Sequence, residues 1–133
     1  MHFLNIPLRK FWLHDSGVES IICDNSQIVL GFRSGFYNEN HEQLNNCKML
    51  LSIDGLNKQN FACFCSIRSR AILSKEITLK KFEKWLKRNE FIIEVDYYSE
   101  FERSILLLGY MHNKQIEIKV TDVSRIDFSF DFP

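Results

Sequence analysis

The sequence lacks the features that mark membrane, secreted and metal-binding proteins. No uninterrupted apolar run is long enough to span a bilayer, and the N-terminus does not have the basic-then-apolar order of a secretory signal. The four cysteines, Cys23, Cys47, Cys63 and Cys65, form no CxxC pair of the kind that holds structural zinc. We therefore expect a cytoplasmic protein with reduced, core-packed thiols, no membrane association, no metal and no cofactor.

Glycine and proline are scarce, and neither sign of charge is in excess. Five glycines and two prolines among 133 residues leave no stretch with the composition of a flexible linker. We therefore predict a single domain over residues 1–133, with twelve phenylalanines available for its core. Seventeen basic and seventeen acidic residues balance, which argues against a general affinity for nucleic acid or for anionic membranes.

One segment, Ile77–Asn89, has helical periodicity. Its apolar residues recur at helical spacing: Leu79, Phe82, Trp85 and Leu86. Thr78 is placed to cap the N-terminus, and Ile77 and Phe82 occupy the positions of a hydrophobic staple. We predict an amphipathic helix over about 78–89 whose apolar side covers a sheet.

Alternating apolar residues on both sides of this helix predict about eight strands. Four precede it and four follow it: Val18–Cys23, Gln27–Arg33, Cys47–Asp54, Phe61–Arg68, Phe91–Tyr97, Arg103–Met111, 116–121 and Ser124–Phe132. Short turns between consecutive strands require antiparallel pairing, so we predict the α+β class, with a curved antiparallel sheet packed against the helix. We interpret the polar segment Gly35–Asn46 as an exposed loop, and the apolar run ILLL as part of a strand covered on both sides.

The most distinctive surface feature is an acidic segment that contains aromatic residues, Glu90–Glu102. Aromatic side chains supply buried anchors in protein interfaces, and carboxylates steer the approach of a basic partner. We predict that this segment binds a protein through six residues: Glu94, Asp96, Tyr98, Glu100, Phe101 and Glu102. By alternation, Tyr98 shares the outward face with Glu94 and Asp96, and Tyr97 faces the core. The alternative interpretation is an ordinary strand and turn with acidic outer residues.

Two other function classes have weaker support in the sequence. A nucleic-acid-binding module would use the basic helix 75–88, through Lys80, Lys81, Lys84, Lys87 and Arg88. Because Phe82 and Trp85 are needed for the core and Glu76 and Glu83 dilute the positive charge, a solvated helix face is the favoured interpretation, and nucleic acid is an unlikely partner.

A small hydrolase or nuclease would have to use the scattered histidines His14, His41 and His112. General acid–base chemistry needs two such groups near one substrate, and no spacing in the sequence predicts that arrangement. His14, Asp15 and Ser16 are contiguous, whereas catalytic triads are assembled from distant positions. We therefore predict a protein that is not an enzyme and has no catalytic residues.

Two parts of the sequence resemble small bacterial immunity proteins. The first is FWLHDSGVESIICDNSQIVLGFRSGFY followed by CKMLLSID, and the second is ILLLGY with IEIKVTDVSRIDF, which is similar to the closing strands of such proteins. This group includes the antidotes of contact-dependent growth inhibition and of related polymorphic toxin systems. The resemblance implies a cytosolic antidote that binds the C-terminal domain of one cognate toxin. Many nuclease antidotes are strongly acidic overall, whereas this chain is neutral, and its acidic segment Glu90–Glu102 still suits a basic nuclease as partner.

Overall fold

A computed structural model describes residues 11–24, 26–54, 60–67 and 74–131, and this part of the chain contains eleven strands and one helix. The strands are β1 (Phe11–Trp12), β2 (Gly17–Cys23), β3 (Gln27–Phe32), β4 (Tyr37–Asn38), β5 (Asn45–Ile53), β6 (Phe61–Ile67), β7 (Lys75–Ile77), β8 (Phe91–Ser99), β9 (Ser104–Met111), β10 (Lys114–Val120) and β11 (Val123–Asp131). The helix α1 spans Leu79–Leu86. The predicted α+β class is confirmed.

Nine strands form one antiparallel sheet in the order β11-β5-β3-β2-β8-β9-β10-β6-β7, while β1 and β4 pair separately. The sheet has two halves, which meet where β2 pairs with β8. The register of that junction pairs Gly17 with Ile92 and Val18 with Phe91, and the Ile93 N–H donates to the Ser16 carbonyl at 3.0 Å beside it. The sheet curves around the core, and α1 packs against β2 and β6.

The strand alternation seen in the sequence places the core correctly over most of the sheet. In β5 the buried residues are Cys47, Met49, Leu51 and Ile53, and in β3 they are Ile28, Leu30 and Phe32. Cys63 is also buried, and Cys65 packs against the core from the same strand. These positions confirm the predicted core-facing sides of β3, β5 and β6.

The helix has the predicted cap but ends earlier than predicted. The Thr78 hydroxyl accepts a hydrogen bond of 3.1 Å from the Lys81 backbone N–H, as expected for an N-cap. Phe82 is buried, with its ring 6.0 Å from that of Phe91. The helix ends at Leu86 instead of Asn89 because the chain turns there, with the N–H groups of residues 88 and 89 both donating to the Trp85 carbonyl. No helix in the described ranges is long and apolar enough to cross a bilayer.

The segment Gly35–Asn46 is not the fully exposed loop that its polar composition predicts. Phe36 and Leu44 are buried, and the Phe36 ring lies 5.3 to 5.5 Å from the rings of Phe11, Phe32 and Phe128. Gly35 permits this inward turn because its φ is +73° and a Cβ there would collide with the Leu44 carbonyl group. Two isolated apolar residues in a polar stretch produce no periodicity, so the sequence pattern missed them.

The outer face of β9 also differs from the prediction. Ile105 and Leu107 are buried on the core side, whereas Leu106 and Leu108 point outward and are only half-buried. The apolar run ILLL therefore does not mark a strand with both faces fully covered. It marks a strand whose outer face presents apolar side chains at the surface, next to the segment predicted to bind a protein.

Candidate protein-binding surface

The geometry of this surface is set by a β-bulge at Glu94. Strand β8 pairs with β9 at Ile93 opposite Gly109 and then at Val95 opposite Leu108, so Glu94 is an extra residue without a partner on β9. A single extra residue shifts the side-chain alternation by one position. In β8, the side chains that face the core therefore fall at odd-numbered positions before the bulge and at even-numbered positions after it.

The bulge is held in place by the turn before β2. The Asp15 backbone N–H donates to the Ile93 carbonyl at 2.8 Å, and Nδ1 of His14 lies 2.7 Å from the Glu94 carbonyl oxygen. Because a carbonyl oxygen only accepts, the His14 ring donates this hydrogen bond. Asp15 can form the tight turn because it adopts a left-handed conformation with a φ of 64°.

The bulge reverses the predicted orientations of Tyr97 and Tyr98. Tyr97 points outward with 64% of its surface exposed, whereas Tyr98 packs against the core. Burial raises the pKa of the Tyr98 hydroxyl well above its ordinary value, and the nearby Asp96 carboxylate, which accepts the hydroxyl's hydrogen bond, raises it further. The prediction that Tyr98 shares an outward face with Glu94 was wrong, and Asp96 is half-buried beside Tyr98.

Three of the predicted residues lie together in the four-residue loop between β8 and β9, which we call the hairpin tip (residues 100–103). Phe101 is fully exposed at 100%, and Glu100 and Glu102 are exposed on either side of it. The loop is ordered by hydrogen bonds: the Glu102 N–H donates to the Ser99 hydroxyl at 3.1 Å, and the Arg103 N–H donates to the Glu100 carbonyl at 3.3 Å. A large apolar side chain is thus presented to solvent on a shaped loop.

Next to the hairpin tip, apolar side chains continue along the outer face of β8 and β9. Val95 is 48% exposed opposite Leu108, and Tyr97 stands opposite the half-buried Leu106. We call these residues and Phe101 the outer patch: Val95, Tyr97, Phe101, Leu106 and Leu108. Such a group of neighbouring apolar side chains at or near the surface is typical of an interaction site.

The charges around the outer patch are partly engaged. The Glu102 carboxylate lies 3.5 Å from the Lys119 ammonium group and 3.4 Å from the Ser104 hydroxyl, which donates to it. Glu94 is exposed at the bulge, five residues before Ser99, which is about 17 Å along an extended strand. The structure therefore brings Glu100, Phe101 and Glu102 together, but it separates Glu94 from them and turns Tyr98 inward.

The residues that sequence analysis missed are Val95, Tyr97, Leu106 and Leu108. A strand with unbroken alternation would bury Val95 and Tyr97 together with Ile93, and the register of β8 against β9 shows why it does not. One signal for the break is Gly109: a Cβ there would collide with the Ile92 carbonyl oxygen and approach the Phe91 ring. A glycine within a strand often accompanies a bulge or a close backbone approach.

The basic helix has its charges at the surface, as predicted, but its tryptophan is covered. The Lys80, Lys84 and Lys87 side chains are exposed. The Lys114 ammonium group lies 4.5 Å from the centre of the Trp85 ring, and that of Lys81 lies 5.4 Å from it. Two ammonium groups therefore lie against the indole ring, which stabilises the helix and leaves the ring less accessible to stacking on a nucleic-acid base.

Two of the groups considered for catalysis, Ser16 and His14, have structural contacts. The Ser16 hydroxyl donates to the Trp12 carbonyl at 3.4 Å, and Nδ1 of His14 is engaged with the bulge. Burial raises the pKa of the Cys63 thiol to about 12, which keeps it protonated near neutral pH. Within the described ranges, no group of three or more His, Cys, Asp or Glu side chains is arranged to hold a metal ion.

Comparison with known proteins finds no matching family model and no curated protein with significant sequence similarity.

Proposed function

We propose that this protein is an immunity protein that acts in the cytoplasm, where it binds and neutralises the C-terminal domain of one cognate bacterial toxin. The observation that carries this proposal is the fully exposed Phe101 at the hairpin tip, between Glu100 and Glu102. An exposed aromatic side chain is unfavourable in water unless a partner covers it, and aromatic anchors supply much of the energy of specific interfaces.

The outer patch gives this anchor a wider contact area. Tyr97 and Val95 extend the apolar surface from the hairpin tip along β8, and Leu106 and Leu108 continue it onto β9. Because the strands form a rigid platform, most of the patch needs little ordering when it binds, which favours high affinity. Carboxylates at the edge of the patch favour a partner with a basic surface, as many nucleases have.

The proposed mechanism is occlusion. The partner's apolar surface would cover the outer patch while Phe101 enters a depression on that surface. The antidote would then prevent substrate from reaching the toxin's active site or an essential surface. This mechanism requires no chemistry from the antidote, so the activity of the protein would be inhibition alone.

The test begins with the gene next to the one that encodes this chain. If that gene encodes a large secreted protein, its C-terminal domain is co-purified with this chain and the isolated pair is titrated. We expect nanomolar association together with loss of the toxin's activity. No association at micromolar concentrations would contradict the proposal. Binding to oligonucleotides that weakens steeply with salt would instead favour the nucleic-acid-binding alternative on the basic helix.

A further inference from the structure

A small depression lies on the outer face of the sheet, beside the outer patch. Its volume is about 170 Å³, and its lining includes Phe64, Ser66, Ser74, Leu108, Gln115 and Glu117. Leu108 belongs to the outer patch, so the depression and the patch are continuous. Pockets for small-molecule substrates and cofactors usually measure about 300 to 1,000 Å³, whereas a cavity of about 150 Å³ holds a group the size of benzene. The depression therefore has room for a single side chain.

The floor of the depression places one carboxylate between two apolar side chains. Glu117 on β10 is paired with Leu108 on β9 and with Phe64 on β6, so the three side chains form one row across the outer face. Cross-strand neighbours of this kind have Cβ atoms about 5 Å apart. The row continues to β7, where Glu76 is paired with Phe64 and adds a second acidic residue.

Glu117 is half-buried, and its side-chain carboxylate forms no hydrogen bond or ion pair with the residues that the structure describes. The nearest cation along its own strand face, Lys119, is engaged with Glu102. A cation that a partner brings beside this half-buried carboxylate would interact with it more strongly than in bulk water.

The chemistry of the lining favours a guanidinium group over an ammonium group. A guanidinium is planar, so it can lie on an aromatic ring while donating two parallel hydrogen bonds to a carboxylate. Phe64 supplies the ring and Glu117 the carboxylate, while the Ser66 hydroxyl and the Gln115 amide supply further acceptors. The methylene groups of an arginine stem would pack on Leu108.

We propose that this depression receives an arginine side chain of the protein that the outer patch binds. This inference rests on the proposed function and adds to it the chemistry of the partner: a surface that carries an arginine beside an apolar area. Phe101 would anchor one end of the interface, and the arginine would anchor the other.

The depression is tested first without the partner. The probe is N-acetyl-arginine amide, titrated into the ¹⁵N-labelled protein while amide chemical shifts are followed, with the lysine and norleucine derivatives as comparisons. We expect weak binding of the arginine derivative, with shifts concentrated at Phe64, Gln115 and Glu117. Glu117→Gln should weaken it at least threefold, whereas Glu39→Gln, which removes the same charge from an exposed residue outside the depression, should not. Equal effects of all three derivatives, or no effect of Glu117→Gln, would overturn the inference.

The second arm uses the toxin domain. We expect Glu117→Gln to weaken its binding on the order of tenfold, because the partner's arginine would lose its counter-charge. Tight binding of the toxin that Glu117→Gln leaves unchanged would overturn the arginine site while the proposed function stands. No toxin binding, with the arginine derivative still bound at Glu117, would overturn the proposed function and support the site.

Discussion

The imidazole of His14 donates a hydrogen bond of 2.7 Å to the carbonyl of Glu94, eighty residues further along the chain. This contact joins the turn before β2 to Glu94, the bulge residue of β8, which has no partner on β9. It connects two parts of the sequence that no local pattern links. The orientation of every side chain from Val95 to Ser99 depends on that bulge.

Removing this contact should weaken the fold moderately. We expect His14→Ala to lower the free energy of unfolding by about 1 kcal/mol, the usual net value of one hydrogen bond at an accessible site. His14→Asn is the matched control, because its side-chain N–H can occupy nearly the same position as Nδ1 and should recover much of the loss. Urea denaturation of the three proteins measures the effect, and equal stabilities for all three would show that the ring does not hold the bulge.

Phe101 should matter for binding and not for folding. Because its side chain is fully exposed, Phe101→Ala should change the free energy of unfolding by less than about 0.5 kcal/mol. The same change should weaken binding to the toxin domain by about 2 kcal/mol or more if Phe101 is an anchor. Ile22→Ala is the control, since Ile22 is 61% exposed on β2, outside the outer patch. Titration calorimetry would contradict the assignment if the two variants bound equally well.

The carboxylates of Glu94 at the bulge and Glu100 at the hairpin tip should act mainly on the rate of association. We expect the double change Glu94→Lys/Glu100→Lys to slow association with the toxin domain at low salt, and we expect the difference to shrink as salt screens the charges. Glu39→Lys/Asp54→Lys changes the total charge equally at exposed residues elsewhere and should have a smaller effect. Stopped-flow association rates at two salt concentrations would distinguish the two double variants. Identical rates for both would contradict a steering role for Glu94 and Glu100.

Tyr98 should make the fold sensitive to alkaline pH. Burial and the Asp96 carboxylate raise the pKa of Tyr98 above its ordinary value of 10 in the folded protein. The folded state then binds the phenolic proton more tightly than the unfolded chain, so this contribution to stability is complete below pH 10 and is lost as the pH rises above it. Urea denaturation from about pH 8 to about pH 11 should show a steeper loss in the wild type than in Tyr98→Phe. Parallel curves would contradict the buried position of this hydroxyl.

On strand β6, the Cys63 thiol should be less reactive than the Cys65 thiol. With a pKa of about 12, roughly one Cys63 in a thousand is a thiolate at pH 9. Cys65 is partly exposed, and Lys114 and Lys81 oppose the rise that burial causes in its pKa. Iodoacetamide should therefore modify Cys65 well before Cys63, with the two sites resolved by tandem mass spectrometry. Urea should abolish the difference, and equal rates in the folded protein would contradict it.

The parts of the fold that sequence analysis predicted are those in which local pattern and tertiary environment agree. Strand β5 alternates without interruption, so Cys47, Met49 and Leu51 identify the core face by themselves. The helix has a cap, a staple and an apolar side, and only its last residues depart from the prediction, because the chain turns after Leu86.

The candidate surface was harder to predict because it depends on a contact between distant residues. The sequence identifies the hairpin tip, where Glu100 and Phe101 are exposed as predicted. Nothing in β8 near Glu94 differs from an ordinary strand, and the one signal of the bulge, Gly109, lies on the neighbouring strand, whose pairing partner the sequence does not give. A one-residue shift exchanges the two faces of everything that follows, and for that reason Tyr97 and Tyr98 were assigned to the wrong sides.

The strand order has a consequence for how the molecule could be rearranged. The chain leaves the first half of the sheet once, after β5, and returns once, to β11, which pairs with β5. At the crossing point the Thr121 N–H donates to the Asn60 carbonyl at 2.9 Å, so the segment between them starts and ends at one place. The hairpin tip and the Glu117 depression both lie inside that segment. It could be exchanged as a cassette that carries a new binding specificity, provided that the new segment keeps the contacts of β8 with β2 and with His14.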